Sequence, residues 1–254
     1  MVLEQTLEKL NAMKLHGMLN AFEHQRLQPE IASLSFEQRF GLLVDQEWTH
    51  KENRRLDYRL RSAKLKIKDA CVEQIDYSIP RNLNKSVVLS LCNSDWLAKK
   101  QNLIITGPTG CGKSFLSCAF AQKACRDGYT ALYKRAPRLF LELNLARADG
   151  TYGKLLQKLA RVQLLIIDDW GLSSLTEMER RDILEILEDR YSNSSTIMTS
   201  QIPVTKWHDT IADPTLADAI LDRVVHNAHK IPLKGDSVRK SKSNHCVITE
   251  VKKL

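Results

Sequence analysis

The sequence predicts an α/β protein in which a module built on a parallel sheet follows a small all-helical domain. Three observations predict it. From about residue 76 onward, short β-branched runs alternate with helical stretches: LIIT at 103–106, TALYK at 130–134, LLIID at 164–168 and STIMTS at 195–200. Strands and helices alternating at this spacing form βαβ units, whose crossovers leave the strands parallel. The first 75 residues, by contrast, contain Gly17, Gly41 and Pro29 as their only breakers and keep a helical period throughout. Between LIIT and the next helix lies GPTGCGKS, which fills the G-x-x-x-x-G-K-[ST] pattern at every fixed position.

In chain order, residues 2–28 read as one helix ended by Pro29. A second helix starts at Ser35, where Ser-Phe-Glu-Gln makes a capping box with Gln38 at the third helical position. Its stripe of Leu56, Leu60, Ala63 and Ile67 carries it, with or without a break, to Ile67. After LIIT comes a helix from Lys113 to Asp127, closed by Gly128. Cys111, Cys118 and Cys125 recur every seven residues there, as buried small hydrophobes on one face would. LADAILDRVVHNAHKI reads as a late helix, and the end of the chain is polar and basic. The expected organisation is therefore 1–75 helical, 76–235 the α/β module, and 236–254 a basic tail.

Composition narrows the class. The chain has 254 residues, 43% hydrophobic and 27% charged, with a formal charge of +8. That length and balance support a real core, and the basic excess favours a polyanionic partner. No uncharged apolar run reaches the roughly 18 residues of a membrane span, so no membrane association is expected. The acids in MVLEQTLEKLNAMK are unlike a signal peptide. Six cysteines include no C-x-x-C pair, so neither a zinc site nor a redox motif shows, and a reduced cytoplasm is the expected home.

The glycine-rich turn points to nucleotide chemistry. Backbone N–H groups of Gly107, Pro108, Thr109, Gly110, Cys111, Gly112, Lys113 and Ser114 (proline lacking one) lead into a helix whose positive end favours phosphates. The Lys113 charge reaches the β/γ oxygens of ATP, and the Ser114 hydroxyl can ligate Mg²⁺. A loop of this kind needs an apolar strand ending in a carboxylate, and LLIIDDW supplies one. Asp168 would serve the metal and Asp169 would orient or deprotonate the attacking water. Asp is shorter than the Glu most such ATPases use. Gln201, after STIMTS, is placed to sense the γ-phosphate or is simply a polar strand end. Arg223 has two readings as well: a cation presented to a neighbouring subunit's phosphate, or a salt bridge to Asp218 or Asp222.

Other loop enzymes fit poorly. The sole Asn-Lys, at 84–85, is not a guanine motif, no residues remain for a second helicase lobe, and no arginine-rich kinase lid is evident. A single AAA+ ATPase module behind a helical domain fits. The strongest polyanion surface is KENRRLDYRLRSAKLKIK at 51–68, eight cations against two acids. Lys51, Arg54, Arg55, Arg59, Arg61 and Lys64 are the candidate DNA contacts, opposite the apolar stripe; a merely solvated basic helix is the plainer reading. Lys134, Arg135 and Arg138 form a second cluster. Neither predicts base readout.

NLIITGPTGCGKSFL, YKRAPRLF, LLIIDDWG, MTSQIP, and LADAILDRVVHNAHKI with GDSVRK resemble the IstB family of insertion-sequence helper ATPases, relatives of DnaC and DnaA. The resemblance covers nearly the whole chain. It implies an ATP-dependent DNA-binding protein that self-assembles on double-stranded DNA and assists a cognate, IstA-like transposase. It also implies that residues 107–114 bind ATP, Asp168 and Asp169 form the second motif, Gln201 is the phosphate sensor and Arg223 the trans-acting arginine. Arg239 carries over more weakly. A DnaC-type helicase loader is the alternative.

Overall fold

The computed structural model describes residues 2–235, which fall into two compact units dividing between Tyr58 and Arg59. The first unit contains α1 (Val2–Ala12), α2 (His16–Leu27) and most of α3 (Phe36–Ala63). The single helix expected over 2–28 is thus two. Lys14 sits in the left-handed region at φ 58°, while Leu15 N–H bonds the Leu10 carbonyl and Lys14 N–H the Asn11 carbonyl, each at 2.9 Å. This is a Schellman stop with lysine where glycine is usual, which hides it from a reading based on Gly and Pro. Helix α2 then lies against α3: a Cβ on Gly17 would stand 2.6 Å from the Gln46 carbonyl oxygen and 2.8 Å from Glu47 Cα. The Glu47 carboxylate accepts from Met18 N–H at 3.0 Å, satisfying one orphan amide of the first turn of α2.

Helix α3 begins as expected. Ser35 N–H bonds Gln38 Oε1 at 3.0 Å and Gln38 N–H bonds Ser35 Oγ at 3.3 Å, a closed capping box. It runs without a break but ends at Ala63, short of Ile67, because Lys64 turns left-handed at φ 50°.

The second unit continues with α4 (Lys85–Cys92), α5 (Asp95–Ala98), β1 (Asn102–Thr106), α6 (Lys113–Arg126), β2 (Ala131–Arg135), α7 (Ala136–Ala148), α8 (Tyr152–Arg161), β3 (Leu164–Trp170), α9 (Glu177–Arg190), β4 (Ser195–Ser200), α10 (Trp207–Ile211), α11 (Pro214–Val225) and β5 (Ala228–Pro232). The five strands are parallel in the order β2-β3-β4-β1-β5. The late helix is shorter than expected: it stops at Val225, and AHKIP becomes the edge strand β5.

Strands β1, β3 and β4 are buried over nearly their whole length, which is why they read as continuous apolar runs. Under the sheet, Arg190 at the end of α9 is fully buried. Its guanidinium donates to the carbonyls of Leu159 at 2.6 Å, Val162 at 2.7 Å and Ser195, and to the Thr196 hydroxyl at 3.0 Å. It thereby ties the ends of α8 and α9 to the start of β4. The register sets Thr106 beside Ser200 and Arg135 beside Asp168, so the carboxyl ends of β1, β2, β3 and β4 converge at one edge. Ligands of open α/β sheets bind at that edge.

Candidate nucleotide site

Six residues separate the end of β1 from the start of α6, and the loop they form needs its glycines. Gly112 has φ 96°, and a Cβ there would lie 2.5 Å from Arg81 Nη1; Gly107 backs onto the Leu233 carbonyl oxygen, 2.6 Å from where its Cβ would be. Arg81 itself is buried, donating to the Cys111 carbonyl at 3.2 Å and the Asp76 carbonyl at 2.9 Å. It pins the loop from behind. Lys113 Nζ donates to the Gly107 and Pro108 carbonyls at 2.7 and 2.9 Å, folding over the loop it is expected to serve.

Asp168, at the end of β3, is fully buried. Its Oδ2 accepts the Ser114 hydroxyl at 2.8 Å and the Tyr133 phenol, its Oδ1 accepts the Thr199 hydroxyl, and Lys66 Nζ lies 3.4 Å from Oδ2. Burial pushes this carboxyl up, but the hydroxyl donors Thr199, Tyr133 and Ser114, together with the Lys66 charge, outweigh it and hold it below its ordinary value. Tyr133 goes the other way. Burial first, then its bond to Asp168 and the charges around it, keep the phenol protonated, so it serves as a donor.

One residue on, β3 bulges out of register with β4, and Asp169 adopts φ 63°. A non-glycine residue in that region is strained and persists where the surroundings hold it. Here Thr199 does so, its hydroxyl accepting Asp169 N–H at 3.2 Å while donating to Asp168. The Asp169 carboxylate lines the cavity and accepts from Arg135 Nε at 2.8 Å. Gln201 follows β4, between the other two motifs as its position in the sequence implies, and its Oε1 accepts the Thr109 hydroxyl at 2.7 Å. Thr109, Ser114, Arg135, Asp169 and Gln201 border a cavity of about 390 Å³, also lined by Lys66, Gln74, Asp76 and Arg81.

The loop, Asp168, Asp169 and Gln201 therefore meet in one place. Ser114 and Asp168 offer two hard oxygen donors in direct contact, which suits Mg²⁺, an ion that completes its shell with water and phosphate. Among the described residues no cluster of three His, Cys, Asp or Glu could hold a metal alone.

Arg223 lies elsewhere. It pairs with Glu188 on α9 and donates to the Ala219 carbonyl at 2.9 Å, rather than bridging to Asp218 or Asp222. Of the cations at 51–68, Arg54, Arg61 and Lys64 are exposed, Lys51 and Arg55 pair with Glu47 at 3.2 Å and Glu52 at 2.5 Å, and Arg59 donates to the Cys125 carbonyl at 2.9 Å. In the second cluster Lys134 pairs with Glu142 and Arg135 with Asp169, leaving Arg138 exposed. Arg239 and the tail 236–254 lie outside the described residues. Sequence reasoning missed Lys66, Arg81, Tyr133 and Thr199 as parts of the site. Tyr133 and Thr199 do sit near the ends of strands flanking β3, which is a usable signal; Lys66 and Arg81 lie far upstream of the loop and carry none.

The family model described as IstB-like ATP binding protein matches residues 8–246. An insertion-sequence ATP-binding protein of Sinorhizobium fredii is 51% identical over 95% of this chain and 98% of its own length. The IS1162 ATP-binding protein of Pseudomonas fluorescens is 45% identical over 80% of this chain and 88% of its own. Among solved structures, DnaI aligns with a TM-score of 0.56 at 22% identity, over 65% of this chain and 91% of that one. The DnaC helicase loader aligns at 0.53 and 19%, over 65% and 97%. At such identity these two show the shared AAA+ fold. No helix among the described residues is long and apolar enough to cross a membrane.

Proposed function

The chain belongs to the IstB-like ATP-binding proteins, P-loop AAA+ proteins of insertion sequences, and from that premise we propose that it is an ATPase that binds double-stranded DNA, assembles on it and assists an IstA-like transposase in target selection and insertion. The observation that carries this reading is the contact between Ser114 and the buried Asp168, with Asp169 presented beside it. An ATP phosphate chain fits the loop amides of 107–114, with Lys113 turning from the loop carbonyls to the β/γ oxygens. Mg²⁺ held by Ser114 and Asp168 would neutralise charge on the phosphates when bound. Asp169, released from Arg135, orients or deprotonates the attacking water, and Gln201 exchanges Thr109 for the γ-phosphate. Arg223 leaves Glu188 to stabilise charge in a neighbouring subunit's site.

DNA contact is assigned to residues 1–75, chiefly the exposed cations late in α3, and the basic tail 236–254 adds to the same charge. Self-association has an apolar face to use: Phe36, Phe40, Val44 and Trp48 recur every four residues along α3 and are all exposed. The reading places the protein in the cytoplasm, with the transposase. The helicase-loader alternative rests on likeness of fold alone.

Backbone binding releases counterions, so DNA affinity should fall steeply with salt. If about four cations engage per subunit, the log–log slope should be roughly −3 to −4. Arg54, Arg55, Arg61 and Lys64 are the cations to neutralise together by glutamine, Arg59 being committed to the Cys125 carbonyl. The slope should flatten while basal ATP turnover stays, because none of the four belongs to the loop 107–114 or to the carboxylates assigned to the metal and the water. Wild-type affinity and slope in the quadruple variant would move the DNA site to another surface.

A further inference from the structure

Lys66 belongs to the basic run 51–68, yet its ammonium lies in the candidate nucleotide site. It lines the cavity with Nζ 3.4 Å from Asp168 Oδ2, the same oxygen that accepts the Ser114 hydroxyl at 2.8 Å. Asp168 is fully buried while the Lys66 side chain is 37% exposed, so the cation reaches in from solvent to a carboxylate that cannot move out. The early stop of α3 makes this reach possible. With Lys64 left-handed, the chain leaves the helix before Lys66, which would otherwise have remained on the basic face of α3.

We propose that Lys66 is a placeholder for the metal: its ammonium occupies the Asp168 carboxylate beside Ser114 before nucleotide arrives, and yields that place to the Mg²⁺ of the incoming nucleotide. The inference rests on Ser114 and Asp168 being the metal's protein partners. The physical ground is mutual exclusion. A divalent cation held by Ser114 and Asp168 would have to share the Asp168 carboxylate with the ammonium, and like charges on one carboxylate repel strongly in a partly dry site. Lys66 is the one that can leave, because its four-carbon stem is flexible and opens to solvent. A neutral side chain at 66 removes the competitor and leaves the Asp168 charge for the metal alone.

The test measures equilibrium binding of a non-hydrolysable ATP analogue against free Mg²⁺, from EDTA to saturation. Wild type, Lys66→Gln, Lys66→Met and Lys66→Arg are compared, Met keeping the aliphatic stem should Gln perturb the fold. In the neutral variants, half-maximal tightening should come at a Mg²⁺ concentration lower by about fivefold or more. Affinity at saturating Mg²⁺ should match wild type within about twofold, and Lys66→Arg should restore the wild-type metal requirement. An unchanged Mg²⁺ requirement in both neutral variants overturns the proposal. So does affinity lost at saturating Mg²⁺, which would make Lys66 a nucleotide contact. Wild type binding the analogue equally with and without Mg²⁺ would instead overturn the metal reading of Ser114 and Asp168, and this proposal with it.

Discussion

Asp168 has four polar neighbours drawn from four separate stretches of chain: Ser114 opening α6, Tyr133 on β2, Thr199 on β4 and Lys66 after α3. The Ser114–Asp168 pairing was legible in the sequence, because a phosphate loop and an apolar strand ending in carboxylate imply each other. Tyr133 and Thr199 were not, since only the register of β2 and β4 against β3 brings their hydroxyls to that carboxyl. The sign of their effect is testable. With its folded pKa below the unfolded value, Asp168 contributes stability that is present above about pH 4 and is lost as pH falls through the lowered folded value. Tyr133→Phe removes one of the bonds that lower it. The acid-unfolding midpoint, followed by circular dichroism, should therefore move to higher pH in this variant. An unmoved midpoint would mean that the phenol contributes nothing to holding the charge.

Among the elements, the ones with explicit chemical punctuation were read correctly and the ones with disguised ends were not. The Ser35–Gln38 box and the four expected strands, β1 to β4, stand in the structure. Both misplaced stops in the first helices are left-handed lysines, Lys14 and Lys64, a conformation that nothing in a lysine's residue type signals. Strand β5 was absorbed into the helix before it because an edge strand reading AHKIP offers a single β-branched residue. The Arg190 cage was invisible for the same kind of reason: its carbonyl partners belong to the ends of other elements. Arg190→Met should leave three carbonyls buried without their donor and cost on the order of 3 kcal/mol or more. Urea denaturation checks this; a loss under about 1 kcal/mol would mean water or a neighbour replaces the guanidinium.

At the scale of the whole molecule, the proposed role of Arg223 would need a second copy: in its own chain Arg223 pairs with Glu188 and does not line the cavity. If it serves a neighbour, Arg223→Ala and Lys113→Ala proteins, each inactive alone, should recover partial ATP turnover when mixed. Mixed interfaces can then pair a sound loop with a sound arginine. No recovery at any ratio, with assembly intact, would leave Arg223 as a structural partner of Glu188. We propose that ATP turnover at this site couples to assembly on DNA. It is tested most directly by the lifetime of the protein on a labelled duplex after excess unlabelled DNA is added, in wild type and in Asp169→Asn. Wild-type complexes should form with ATP and decay as it is hydrolysed, while Asp169→Asn should bind ATP, assemble equally and persist about tenfold longer or more. Equal lifetimes in the two proteins, with turnover abolished in the variant, would contradict it.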